Sequence, residues 1–211
     1  MRIVDLTHTI EPAMPVFPGT EPPILLPANT VERDGFAEKK LTLYSHTGTH
    51  MDAPAHMLNG AKTLDAYAVG DFYGPAVCLD FSRSSLPYIE VEHLQPYQRQ
   101  LSQARFLILR TGWAQYWGKD QYFANFPAIS PAAAAHVIQL GIRGMGVDTI
   151  SIDRMDDHHF PVHHLLFAAG LFIIENLTNL DQVGTEFTLG CFPMQIKDAD
   201  GAPARAVAIM D

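Results

Sequence analysis

Four side chains able to bind a metal ion or move a proton fall within eleven residues: His46, His50, Asp52 and His56. Imidazole nitrogen and carboxylate oxygen together suit zinc, manganese or iron(II). No cysteine stands among them, which removes the usual structural zinc sets. Three protein ligands leave a coordination position for water or substrate, which is the catalytic arrangement. Plain surface histidines on a loop are the competing reading, and spacing alone does not separate the two. Gly48, the β-branched Thr47 and Thr49, and Pro54 oppose a helix. The ligands are therefore placed on a turn leaving a strand, with Gly48 permitting a tight backbone.

A second group lies at Asp156-Asp157-His158-His159 and His163-His164, followed by Glu175-Asn176. A run of charges and histidines is normally a solvated loop. Glu175 differs, because it ends the apolar run Leu171-Phe172-Ile173-Ile174. A carboxylate there must be paired, hydrogen-bonded or metal-bound. On spacing alone, a structural ion pair is the stronger reading of Glu175.

Several elements must position these groups. Residues 40–46 alternate Leu41, Leu43 and Ser45 against Thr42, Tyr44 and His46, a period of two that predicts a strand. Residues 1–5 read as a first strand. Further strands are expected at 76–81, 105–110, 144–147, 170–175, 188–196 and 204–210. Ser130 caps a helix that has Pro131 at its first position and Gly141 just past its end. A second helix is expected over 91–103 and a short one over 163–169. Six prolines between Glu11 and Pro27 forbid a helix and predict an ordered arm or loop carrying Phe17. Strands with interspersed helices predict an α/β fold: one domain over 1–211, with a mixed β-sheet flanked by helices.

Composition narrows the function. The net charge is −9 with no Lys/Arg cluster, which argues against nucleic acid. No apolar run approaches the ~18–20 residues needed to cross a membrane. Cys78 and Cys191 are far apart and outside any metal spacing. Two free buried thiols, and a first segment unlike a signal peptide, predict a cytoplasmic protein.

The histidine-aspartate segment from His46 to His56 is similar to one known family. Asp5-Leu6-Thr7-His8, the arm Met14-Pro15-Val16-Phe17-Pro18-Gly19, Leu109-Arg110-Thr111-Gly112-Trp113, Gly146-Val147-Asp148-Thr149-Ile150-Ser151-Ile152-Asp153, Ile174-Glu175-Asn176-Leu177 and Asp200-Gly201-Ala202-Pro203-Ala204-Arg205-Ala206 extend the likeness over nearly the whole chain. The chain thus resembles the metal-dependent cyclase/hydrolase family of bacterial kynurenine formamidases (arylformamidases) and isatin hydrolases.

The resemblance implies that His46, His50 and Asp52 bind a first zinc or manganese ion. It implies that Asp52 bridges to a second ion where one is present. It makes His56 the proton donor and acceptor, and Glu175 the acid completing the metal site. The family's further ligand histidine, twelve residues before that glutamate, falls on His163, with His164 and His159 close by. A cyclase-like fold, a small-molecule substrate and a homodimer or homotetramer are implied as well. Formamidases of the family carry tryptophan where this arm has Phe17. Phenylalanine can still stack on an aryl substrate, with a smaller face and no N–H; simple packing of the arm is the equal alternative.

The implied reaction is hydrolysis of an amide or formamide C–N bond by metal-activated water. Isatin-type lactam opening, or other cyclase-type carbonyl chemistry, fits the same residues. A metal- or metabolite-binding protein without turnover is the reading of another class, and His56 favours the enzyme.

Overall fold

The structure is a computed structural model, which describes residues 1–210. Its strands are β1 (Arg2–Asp5), β2 (Ile24–Asn29), β3 (Glu38–Thr42), β4 (His50–Asp52), β5 (Tyr73–Asp80), β6 (Tyr88–Ile89), β7 (Phe106–Arg110), β8 (Ala128–Ile129), β9 (Gly144–Val147), β10 (Phe172–Glu175), β11 (Glu186–Pro193) and β12 (Gly201–Met210). Its helices are α1 (Val31–Asp34), α2 (Val91–Leu94), α3 (Gln98–Leu101), α4 (Pro131–Gln139) and α5 (Pro161–Ala168).

Eight strands form one mixed sheet in the order β1-β12-β11-β5-β7-β9-β10-β4, and β4 pairs a second time, with β12. That second pairing curls the sheet into a barrel-like arrangement. The expected mixed sheet is present, but the arrangement of a sheet merely flanked by helices is corrected to this barrel-like closure. The cause is the length of β12. Gly201–Pro203 pair with β4, Val207–Met210 pair with β1, and β11 occupies the opposite edge. The expected strand at 204–210 omits Gly201-Ala202-Pro203, the segment that makes the closure.

Alternation along the parallel strands divides the apolar residues into two layers. Phe106 and Ile108 of β7 face one layer with Ala76, Cys78, Phe172 and Ile174. Leu107 and Leu109 face the other, with Val77, Leu79, Met145 and Ile173, where α2 to α5 pack. In β9 the inner positions are glycines: a Cβ on Gly146 would stand 2.6 Å from Ile108 and 2.8 Å from Leu177.

The capped helix is α4, with Ser130 accepting from the Ala133 N–H at 3.2 Å and Gly141 at φ +81°. The helix expected over 91–103 divides into α2, a 3₁₀ turn at Gln95–Tyr97 and α3. Pro96 lacks the N–H that would continue the ladder there. The proline-rich arm contains no helix, but its end, β2, pairs with β3 in a two-stranded ribbon. That ribbon leaves Ile24, Leu26 and Leu41 exposed. The strand expected over 40–46 ends at Thr42.

Candidate metal centre

The site forms where β4 closes the sheet. Glu175 of β10 lies opposite His50, and Ile173 lies opposite Asp52. Met51 faces the inner layer, so the strand's period of two turns His50 and Asp52 to the outer face. Glu175 shares that face with Ile173, two residues earlier on the same strand. α5 packs on this face, and its buried stripe of Val162, His163, Leu166 and Phe167 carries His163 to the carboxylates. The expectation of ligands on a turn holds for His46 and is corrected for His50 and Asp52, which lie in β4. Gly48, at φ +67°, makes the turn between them. His56 ends the 3₁₀ turn Pro54–His56.

The predicted residues converge. His46 Nδ1 is 2.6 Å from Asp52 Oδ1, and His50 Nε2 is 3.1 Å from the same oxygen. His50 Nε2 is 3.6 Å from Glu175 Oε2, and His163 Nε2 is 3.5 Å from Glu175 Oε1. Among the described residues, three groups have ligand atoms all within 4.8 Å of one another: His46-His50-Asp52, Asp52-His163-Glu175 and His46-His56-Asp200. Asp52 belongs to the first two. Of the three candidate distal histidines, His163 is buried, whereas His164 and His159 are exposed.

Each buried ring is held from behind. His50 Nδ1 lies 2.8 Å from the Gly48 carbonyl, to which Asn176 Nδ2 also donates at 2.9 Å. His163 Nδ1 lies 2.7 Å from Asp153 Oδ2. These bonds place the protons on Nδ1 and turn both Nε2 atoms toward the shared carboxylates. Asn176 adopts φ 58°, so the chain turns immediately after Glu175.

Electrostatics test whether these residues fit a cation. Burial disfavours charge on His46, yet Asp52 and Asp200 raise its pKa to about 10. Burial likewise opposes charge on His163, and Asp153 and Glu175 raise it to about 9. His50 is also raised, chiefly by Asp52 against burial. Burial pushes the Asp52 carboxyl up, but His50 and His46 outweigh it and hold it well below the usual range. Protonated rings thus balance the buried carboxylates. A divalent cation supplies the same charge once the rings yield their protons, so the donor set fits one. His56 is the exception: burial lowers its pKa.

The cluster opens into a cavity of about 660 Å³, walled by Phe17, Tyr44, Met57, Ile150 and Phe160. Phe17 thus reaches the site from the arm, half-exposed.

A family model described as a putative cyclase matches residues 4–154. The chain belongs to the cyclase family. The kynurenine formamidase of Bacillus mycoides (strain KBAB4) is 34% identical over 209 residues, covering 97% of this chain and 95% of its own. That of Bacillus cytotoxicus is 33% identical over 207 residues, with the same coverages. Isatin hydrolase A from Labrenzia aggregata, solved with benzyl benzoate, superposes with a TM-score of 0.90 at 26% identity, over 100% of this chain and 94% of that one. A potential metal-dependent hydrolase with cyclase activity gives 0.82 at 27% identity, over 98% and 96%.

Sequence reasoning assigned no role to Asp153, Asn176 or Asp200. All three fall inside segments that carry the family likeness. Their roles depend on contacts spanning 10, 128 and 154 positions, which no local pattern reports.

Proposed function

We propose that the chain hydrolyses the formamide C–N bond of an aryl substrate of the N-formylkynurenine type at a centre of one or two zinc or manganese ions. The chain is a metal-dependent amide hydrolase of the cyclase family, acting on C–N bonds other than peptide bonds. The observation that carries the two-ion reading is Asp52, the carboxylate common to two ligand groups. His46, His50 and Asp52 would hold one ion, and Asp52, His163 and Glu175 the other.

A divalent ion there would supply a Lewis acid for the carbonyl and lower the pKa of water to about 7. His56 lines the cavity beside the ligands, and burial keeps its ring neutral near pH 7. It therefore accepts a proton as the nucleophile forms and returns it to the leaving nitrogen. Phe17 provides a face for the aryl ring.

Isatin-type lactam opening is the second reading. It is favoured by phenylalanine at position 17 and by the superposition on isatin hydrolase A. We further propose a homodimer or homotetramer, supported by the apolar residues bared on the β2–β3 ribbon. Among the described residues no helix is long and apolar enough to cross a membrane. A cytoplasmic location is proposed from the two buried free cysteines.

The test strips metal with a chelator and restores zinc or manganese, with N-formylkynurenine, isatin and a simple aryl formamide assayed side by side. Activity is expected to vanish and return, fastest on the formylated substrate. Full turnover without metal defeats the reading. Turnover of isatin alone replaces it with the second. Asp52→Asn is expected to abolish binding of both ions.

A further inference from the structure

Asp200 lies outside the two ligand groups that share Asp52, yet the fold ties it to them. It immediately precedes β12, where Gly201 pairs with Asp52 across the closure. Its carbonyl accepts the Ala53 N–H at 2.8 Å. The backbone of Asp200 is thereby fixed to the strand that carries His50 and Asp52. Its carboxylate enters the site: Oδ2 is 2.9 Å from His46 Nε2, 3.3 Å from Ser45 Oγ and 3.6 Å from His56 Nδ1. Gly201 makes room for this approach, since a Cβ there would stand 2.4 Å from the His46 ring.

The three histidines of the centre follow one rule with one inversion. His50 and His163 each turn Nε2 toward the shared carboxylates and anchor Nδ1 on an acceptor, the Gly48 carbonyl or Asp153. His46 does the reverse: Nδ1 faces Asp52 and Nε2 faces Asp200. An imidazole that binds a metal keeps one N–H, and its acceptor decides which nitrogen is the ligand. We infer that Asp200 is a positioning residue that retains the Nε2 proton of His46 and presents Nδ1 to the ion, so that His46 ligates through Nδ1 while His50 and His163 ligate through Nε2. Asp200 then does for His46 what Asp153 does for His163. The inference rests on the metal reading of the centre.

Two measurements test it on the intact protein. The nitrogen-15 histidine spectrum of the zinc-loaded protein is expected to show the His46 proton on Nε2 and those of His50 and His163 on Nδ1. A His46 proton on Nδ1 overturns the inference without need of any variant. Asp200→Ala is expected to weaken zinc affinity about 10–100-fold in a competition titration. Asp200→Asn keeps an acceptor oxygen and is expected to lose less. Wild-type affinity in Asp200→Ala, or an equal loss in both variants, also overturns it. Failure of the wild-type protein to bind zinc defeats the metal reading itself, a distinct result.

Discussion

Asp153→Asn separates metal chemistry from folding in one residue. The buried Asp153 carboxylate accepts three bonds: Oδ1 takes the Val162 N–H at 3.0 Å, while Oδ2 takes the His163 N–H at 2.9 Å and His163 Nδ1 at 2.7 Å. Two of them cap the start of α5, and the third fixes the His163 ring. An amide presents one oxygen. If that oxygen stays with Val162, the NH₂ group faces two donors at His163. If it flips, His163 is served and the Val162 N–H faces the NH₂. In the better orientation one buried donor loses its acceptor, at a cost of about 1–3 kcal/mol. Losing the carboxylate's charge weakens the remaining bonds to His163, bringing the total to about 2–4 kcal/mol. At about 2–4 °C per kcal/mol for a chain of this size, the metal-free melting temperature falls by about 4–16 °C. Separately, loss of a carboxylate behind a ligand histidine weakens metal binding about 10–100-fold. Calorimetry of the metal-free protein reads the first quantity, and chelator competition reads the second. A variant that melts within about 1 °C of the parent, against the shift expected from its buried bonds, refutes the capping argument. Unchanged zinc affinity refutes the placement of His163 at the ion.

Three further outcomes are expected. His56→Ala keeps its full metal content and loses a factor of about 10²–10⁴ in kcat; loss of metal instead makes His56 a ligand. The metal-free protein has His46 and His163 raised to about 10 and about 9, above the ordinary ~6.5. The stability they contribute is whole below ~6.5 and is lost as pH rises through those raised values. Its melting temperature therefore declines from about pH 7 to about pH 10, whereas the metal-loaded protein, whose ligands bind deprotonated, shows no such decline. Gly201→Ala puts a Cβ at 2.4 Å from the His46 ring; displacement of that ring is expected to lower metal affinity, measured by the same titration, and an unchanged value removes His46 from the centre.

Much of the framework was legible because its signals are local. Continuous apolar runs bounded by turn residues gave the parallel strands, and Ser130, Pro131 and Gly141 bounded α4 closely. The closure was not legible. It depends on Gly201, Ala202 and Pro203, which lie before the expected strand at 204–210; Asp200-Gly201 and Pro203 are turn formers, and Pro203 has no N–H for a ladder. β4 was hidden for a related reason. At three residues it is too short to show a period, and it gains strand geometry only by pairing on both edges, with β10 and β12.

The same closure explains why the ligands were easier to find than their supports. His46, His50, Asp52 and His56 are close in sequence, so their spacing set the metal reading level with plain surface histidines, and the family likeness decided between them. Glu175 stood out as a carboxylate ending an apolar strand, and its register sets it opposite His50, within 3.6 Å of that ring and 3.5 Å of His163. Asp153 and Asp200 had no such mark, because a lone aspartate beside a turn is common in any sequence. Their acceptors matter only after α5 and β12 have been laid against the ends of β10 and β4. A turn aspartate then meets the back of a ligand histidine. Local pattern therefore names the atoms that would touch the ion, whereas the proton that fixes each ring is decided by tertiary pairing. The nitrogen through which His46 binds is the point at which that difference becomes measurable.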